Sequence, residues 1–291
     1  MKRSVRKPTK EDMLALIAQH FPDIAIQHVH LNTDGWDHAV LIINNEQVFR
    51  FPLDEEYEQQ LAREIQILIK LSPLVEANIP QYNYVPNDSR FAGYNLLPGE
   101  AISKQLYDSF SDTQKTAFAK HIAQFLTQLH TAPLAKFPQL PKWFLYEDQP
   151  NLKMSVAKYL PSKLTASEME RVHAILNEID TLLELKIPQV FIHNDLYSRH
   201  ILWDATPEQL SIIDFSDMCL GDPAVDFNEL HEYGKDFVTQ VYELYEGPKD
   251  STFLDRAWQY QKWTGVFMLA DHFINDKTTW HEAREIFDHT H

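Results

Sequence analysis

Two short stretches hold the residue types that do chemistry. The first is Ile192-His193-Asn194-Asp195-Leu196-Tyr197-Ser198-Arg199-His200-Ile201-Leu202, and the second is Ile212-Ile213-Asp214-Phe215-Ser216-Asp217. Asp195 and Asp214 each close a β-branched run, where a loop can hold a carboxylate at a cleft edge. His200 supplies a metal-binding side chain five positions after Asp195. Phosphoryl transfer needs one carboxylate at the attacking hydroxyl and a separate one at a metal ion. A five-residue loop can present two such groups to one point. Either aspartate alone is as readily a turn residue after a strand, because Asp favours turns. The full ordered set favours chemistry.

The elements that must position these residues are legible in outline. Ala39-Val40-Leu41-Ile42-Ile43 is a β-branched run, Asn44-Asn45 supplies turn chemistry, and Gln47-Val48-Phe49-Arg50-Phe51 reads as a second strand ended by Pro52. Leu61, Ile65, Leu68 and Leu71 recur at steps of three and four, so the spacing predicts a helix from Glu55 to Leu71. Pro80 to Asn95 reads as irregular strand pairs around Asn87-Asp88-Ser89. Ser111…Gln114 and Thr165…Glu168 are capping boxes, predicting helices to about His130 and Leu185. Pro133 to Pro161, punctuated by prolines and aromatics, is expected to be irregular. Two or three further helices fill Val225 to His289. Short β-like runs at Val190–Ile192, His200–Trp203 and Leu210–Ile213 interrupt the helical part. An α+β chain follows, strand-rich first and helical after a boundary near Leu96–Pro98.

Composition narrows the partners. With 26 Lys+Arg against 42 Asp+Glu the net charge is −16, which disfavours nucleic-acid phosphates and suits cationic small molecules. Cys219 is the only cysteine, so neither an internal disulfide nor a cysteine zinc cage is available. The basic start (Lys2, Arg3, Arg6, Lys7, Lys10) is followed by no signal-peptide core, and no apolar run is long enough to span a membrane. A cytoplasmic protein without membrane or nucleic-acid partners is the expectation.

The order Asp195, His200, Asp214 matches the kinase pattern H-x-D-x-x-x-x-N followed by D-F-G. The chain resembles the aminoglycoside phosphotransferase family, and within it the 2″-aminoglycoside and macrolide branches. There the position held by His200 is often His, where most relatives carry Asn. Gly221-Asp222-Pro223-Ala224-Val225-Asp226-Phe227 is similar to the family's G-D-P-x-x-D-[FL] element. The resemblance implies a bilobal protein-kinase-like fold, with residues 1–96 as the nucleotide-binding lobe and 97–291 as the helical lobe. It implies Asp195 as the catalytic base, His200 and Asp214 as ligands of Mg²⁺ (or Mn²⁺), and ATP or GTP as cosubstrate. His193 and Asp226 would be structural in the catalytic loop, Asp226 as its brace.

In the first lobe, Gly35-Trp36-Asp37-His38 resembles the family's phosphate-covering G-W-D-N turn. Val48-Phe49-Arg50-Phe51-Pro52 resembles its F-[KR]-F-P strand, with Arg50 in place of the usual Lys and Glu64 as its implied partner. Phe91 to Glu100 resembles the hinge, which makes Asn95 and Leu97 nucleotide-binding. Without the family, Arg50 and Glu64 are equally ordinary surface charges, and the hinge residues an edge strand and turn. Asp217, Glu229 and Glu232 are the candidate substrate carboxylates, the last two sharing a helix face by spacing, or else forming a solvated face. Three positions depart from the family's usual residues: Arg50 for Lys, Ser216 for Gly and His200 for Asn. His38 also stands where relatives often have a small polar residue. The implied activity is transfer of a nucleotide γ-phosphate to a hydroxyl of an aminoglycoside or macrolide. The alternatives are a metabolic small-molecule kinase (choline, homoserine, methylthioribose or sugar-amine type) and a weakly active, nucleotide-binding pseudokinase.

Overall fold

A computed structural model of the chain describes residues 8–33, 35, 37–87, 90–143, 145–275 and 278–290. Lys2, Arg3, Arg6, Lys7, Trp36, Asp88 and Ser89, named above, lie outside the described residues. The chain forms two compact units. The first comprises the described residues of Met1–Ala101, Ala135–Gln139 and Ile201–Ser216, and the second those of Ile102–Leu134, Leu140–His200 and Asp217–His291.

The first unit is built on an antiparallel sheet of β1 (Val29–Asn32), β2 (His38–Ile43), β3 (Gln47–Pro52) and β4 (Ala92–Asn95), in that order. Asn44 and Asn45 both sit at φ 55, the left-handed pair of a tight turn closed by the Glu46 N–H donating to the Ile43 carbonyl at 2.9 Å, within the three-residue loop between β2 and β3. Side chains alternate between the two faces of a strand. One face carries Ala39, Leu41, Ile43, Phe49 and Phe51, which bury against Met13 and Ile17 of α1 (Lys10–His20). The period of two therefore turns Arg50 to the opposite face, toward α2 (Glu55–Leu71). Asp54 caps α2 by accepting from the Tyr57 N–H. Glu64, fully buried, shares the inner side of α2 with Leu61, Ile65 and Leu68.

A second sheet in this unit pairs β5 (Glu100–Ala101), β7 (Ile201–Ala205) and β8 (Glu208–Ile212). Asn78 exchanges backbone hydrogen bonds with Leu210 and Ile212, and the Ser211 hydroxyl donates to the Pro98 carbonyl. The hairpin ending just before Asp214 thus belongs with the strand-rich unit, although it interrupts the helical sequence.

The second unit contains α3 (Lys104–Asp108), α4 (Asp112–His130), α5 (Leu145–Tyr159), α6 (Ala166–Leu183), the paired strands β6 (Val190–Ile192) and β9 (Cys219–Gly221), α7 (Lys235–Leu244), α8 (Phe253–Ile274) and α9 (Trp280–His289). Both capping boxes read from the sequence are formed, at Ser111 and at Thr165. Within the stretch from Pro133 to Pro161, expected to be irregular, Leu145–Tyr159 instead forms α5, with Pro150 inside it. Proline costs a helical hydrogen bond, but tertiary packing overrides the local penalty. Leu152, Val156 and Leu160 are buried, and Gln149 donates to the Leu176 carbonyl while accepting from Trp263 Nε1. On α8, Tyr260 and Trp263 are buried in packing, and Trp263 stacks on Phe267. Among the described residues, no helix is long and apolar enough to cross a membrane.

Candidate functional site

In the first unit, chemistry gathers around Arg50. One terminal nitrogen of its guanidinium donates to both Glu64 oxygens, at 2.8 and 2.9 Å, and lies 3.1 Å from the Tyr82 hydroxyl. The other donates to Asp214 Oδ1 at 2.9 Å and to Ser216 Oγ at 2.7 Å, and lies 3.3 Å from His38 Nδ1. A planar fork of donors can hold two carboxylates at once, which a single ammonium does less well. Burial pushes the Glu64 carboxyl up while the charge of Arg50 opposes that rise. Burial also lowers the His38 ring to about 3, with the Arg50 charge second, so His38 is neutral. Asp214 adopts φ 63, a left-handed conformation tolerated by Asp at turns. Arg50, Glu64 and Asp214, far apart in sequence, are thus joined in one network.

Gly35 is exposed just before β2, and an added Cβ there would come within 3.0 Å of the His38 carbonyl oxygen. Asn95 ends β4, exposed, with Oδ1 accepting from the Tyr84 hydroxyl at 3.1 Å, and Leu97 is half-buried beyond it.

In the second unit, the loop after β6 is held from beneath. The two oxygens of Asp226 accept the backbone N–H groups of His193 and Asn194, each at 2.8 Å. His130 Nε2, at 3.0 Å from the same carboxylate, adds a third bond, and its Nδ1 meets the Tyr245 hydroxyl at 2.7 Å. Asn194 sits at φ 67, with its Oδ1 accepting from Trp143 Nε1 at 3.1 Å. Such a strained residue persists only where its surroundings fix it, and here they do. Asp195 follows directly, its N–H donating to His193 Nδ1 at 3.3 Å.

His200 turns back on the same loop. Its Nδ1 lies 2.8 Å from the Asp195 carbonyl oxygen and 3.3 Å from Asp195 Oδ2. Donation from Nδ1 to that carbonyl places the ring's lone pair on Nε2, which accepts from Arg199 Nε at 3.3 Å. Tying one ring nitrogen to a carbonyl is how proteins orient a metal-binding imidazole. A carboxylate at Asp214 suits Mg²⁺, whereas an imidazole is a softer donor. The donor types fit a divalent cation of this kind. The loop's dependence on His130 is a tertiary feature that sequence reasoning missed, since no spacing links His130 to Asp226.

The two glutamates separate. They lie in a short 3₁₀ turn, Glu229–Tyr233, rather than on an α-helix. Glu232 is exposed and accepts from the Ser198 hydroxyl at 2.9 Å. Glu229 is buried beside Tyr197, whose hydroxyl donates to it, and burial followed by the Asp195 charge pushes its carboxyl up to about 8. Burial thus favours the neutral form of the Glu229 carboxyl, whereas Glu232 lies exposed to solvent. Asp217, half-buried, belongs to the second unit.

The Glu229 shift carries a stability prediction. Its ordinary value is 4.5, so between there and about 8 the folded chain keeps a proton that the unfolded chain has lost. Stability from this group is full below the lower value and falls as pH rises through the upper one. Glu229→Gln, which stays neutral, is expected to flatten that fall. Its melting temperature at pH 8 should exceed wild type by roughly 2–4 °C per kcal/mol recovered. Parallel melting-temperature profiles from pH 5 to 8 would show that Glu229 does not hold this proton.

Residues 28–259 match the model of the phosphotransferase enzyme family. The GDP complex of an aminoglycoside 2′-phosphotransferase-IIIa is 26% identical, covering 97% of this chain and 98% of that one, with a TM-score of 0.84. The GDP and kanamycin complex of an APH(2″) enzyme is 25% identical over 97% of this chain and 98% of that one, with a TM-score of 0.86. A macrolide 2′-phosphotransferase type I is 19% identical, covering 98% of each chain, with a TM-score of 0.70, and shares the kinase-like fold.

Proposed function

Since this chain belongs to the phosphotransferase enzyme family, we propose that it moves the γ-phosphate of ATP or GTP to a hydroxyl of a cationic small molecule, an aminoglycoside foremost. The observation that supports this reading is the match, over nearly the whole chain, to the GDP and kanamycin complex. The proposed base is Asp195, on the loop held by Asp226 and His130. Its carboxylate takes the proton of the attacking hydroxyl as that oxygen bonds to the γ-phosphorus. The bond from the γ-phosphorus to the bridging oxygen breaks, and its electron pair leaves with the nucleoside diphosphate.

Asp214 and His200 are proposed to hold Mg²⁺, with Mn²⁺ the alternative that an imidazole ligand favours. The ion, when bound, neutralises charge on the nucleotide phosphates. Arg50, fixed by Glu64, presents a positive charge for the same phosphates, and Gly35 the turn over them. Asn95 and Leu97 are the proposed meeting point with the base of the nucleotide. Asp217 and Glu232 offer carboxylates to a polyamine substrate. Glu229, whose carboxyl burial pushes up to about 8, offers a hydrogen bond more than charge. The negative charge of the whole chain draws a polycation toward it.

The test is acceptor-stimulated release of ADP or GDP across aminoglycosides, macrolides and amino alcohols. Stimulation by aminoglycosides, with the phosphorylated product seen by mass spectrometry, is the expected result. Stimulation by an amino alcohol alone would make the protein a metabolic kinase. Nucleotide binding with no stimulated release would make it a pseudokinase.

A further inference from the structure

His38, Arg50 and Ser216 each depart from the usual residue of the pattern, and in the first unit they form one hydrogen-bonded cluster. Ser216 is its centre. Its Oγ accepts from Arg50 at 2.7 Å and donates its own proton to Asp214 Oδ1 at 3.1 Å. Arg50 reaches that same Oδ1 directly at 2.9 Å. Arginine only donates, so His38 Nδ1 accepts from it, steadying the guanidinium from the start of β2. Ser216 and Arg50 are 6% and 5% exposed, so water does not readily replace a lost partner.

We propose that Ser216 is a positioning residue for Asp214 that works only in combination with Arg50. The hydroxyl relays the guanidinium's hydrogen bond to the carboxylate and fixes the direction in which Asp214 faces. A glycine at this position has no group to pass that bond on. A lysine in place of Arg50 has no fork with which to hold Glu64 and the serine together. The left-handed backbone at Asp214 is uncommon for a side-chain-bearing residue, and the cluster supplies the contacts that hold it there. This inference rests on the reading of Asp214 as the metal carboxylate.

The experiment titrates Mg²⁺ against binding of ATP and of GTP to the full chain, read by calorimetry without any acceptor. Ser216→Ala is expected to raise the Mg²⁺ concentration at half-maximal binding about 10-fold, the loss of one hydrogen bond to a charged group. Ser216→Thr, which keeps the hydroxyl, is expected to stay within about 2-fold. Placed on Arg50→Lys, Ser216→Ala is expected to add less than about 2-fold, because the relay is already broken. An unchanged Mg²⁺ midpoint in Ser216→Ala with a lowered melting temperature would overturn the proposal and leave a packing role. Equal costs of Ser216→Ala in the wild-type and Arg50→Lys backgrounds would overturn the coupling. Wild type that binds neither nucleotide with Mg²⁺ would overturn the nucleotide reading first, and this inference with it.

Discussion

Asp195→Asn is expected to lower kcat by about 10²- to 10⁴-fold while nucleotide affinity stays within a few-fold of wild type. The amide keeps the size of the side chain but cannot take up the hydroxyl proton at neutral pH. The loop should keep its form, because the bonds that hold it run from Asp226 to the His193 and Asn194 N–H groups rather than from Asp195. The loss then falls on turnover and spares binding, which single-turnover kinetics with saturating nucleotide separates from product release. Turnover close to wild type in this variant would remove Asp195 from proton transfer, and the acceptor hydroxyl would need another base.

Asp214→Ala is the second large effect. It is expected to abolish the Mg²⁺-dependent tightening of nucleotide binding, because it removes the main charged ligand proposed for the ion. The same change takes from Arg50 one of the two carboxylates it bridges, leaving Glu64. Metal-independent nucleotide binding should therefore persist and even strengthen slightly, since the guanidinium is then less neutralised. Calorimetric titration with and without Mg²⁺ reads both arms. Equal Mg²⁺ dependence in wild type and Asp214→Ala would place the ion elsewhere.

Local elements were legible from local residues. The Asn44-Asn45 hairpin, the helix from Glu55 to Leu71, and the capping boxes at Ser111 and Thr165 appear where the residues put them. Each depends on interactions within a few positions: a left-handed turn, an apolar stripe, a side chain accepting from the third N–H onward. The helix through Pro150 went unread for the converse reason. Its local penalty is visible in the sequence, and the bonds of Gln149 to Leu176 and Trp263 that offset it are not.

The sequence by itself determined the residue types available for chemistry, the order in which Asp195, His200 and Asp214 occur, and the acidic charge of the chain. Tertiary structure alone decided what surrounds them. Arg50 meets Asp214 and Ser216 across 164 and 166 positions, and His130 meets Asp226 across 96. No periodicity spans such distances, because the closure of those loops is driven by burial of the apolar faces and not by the polar residues it brings together. The protonation of Glu229 follows from the same cause. Its spacing from Glu232 marks both as acids on one turn, but only packing withdraws one from water and leaves the other exposed, and withdrawal from water is what holds the proton.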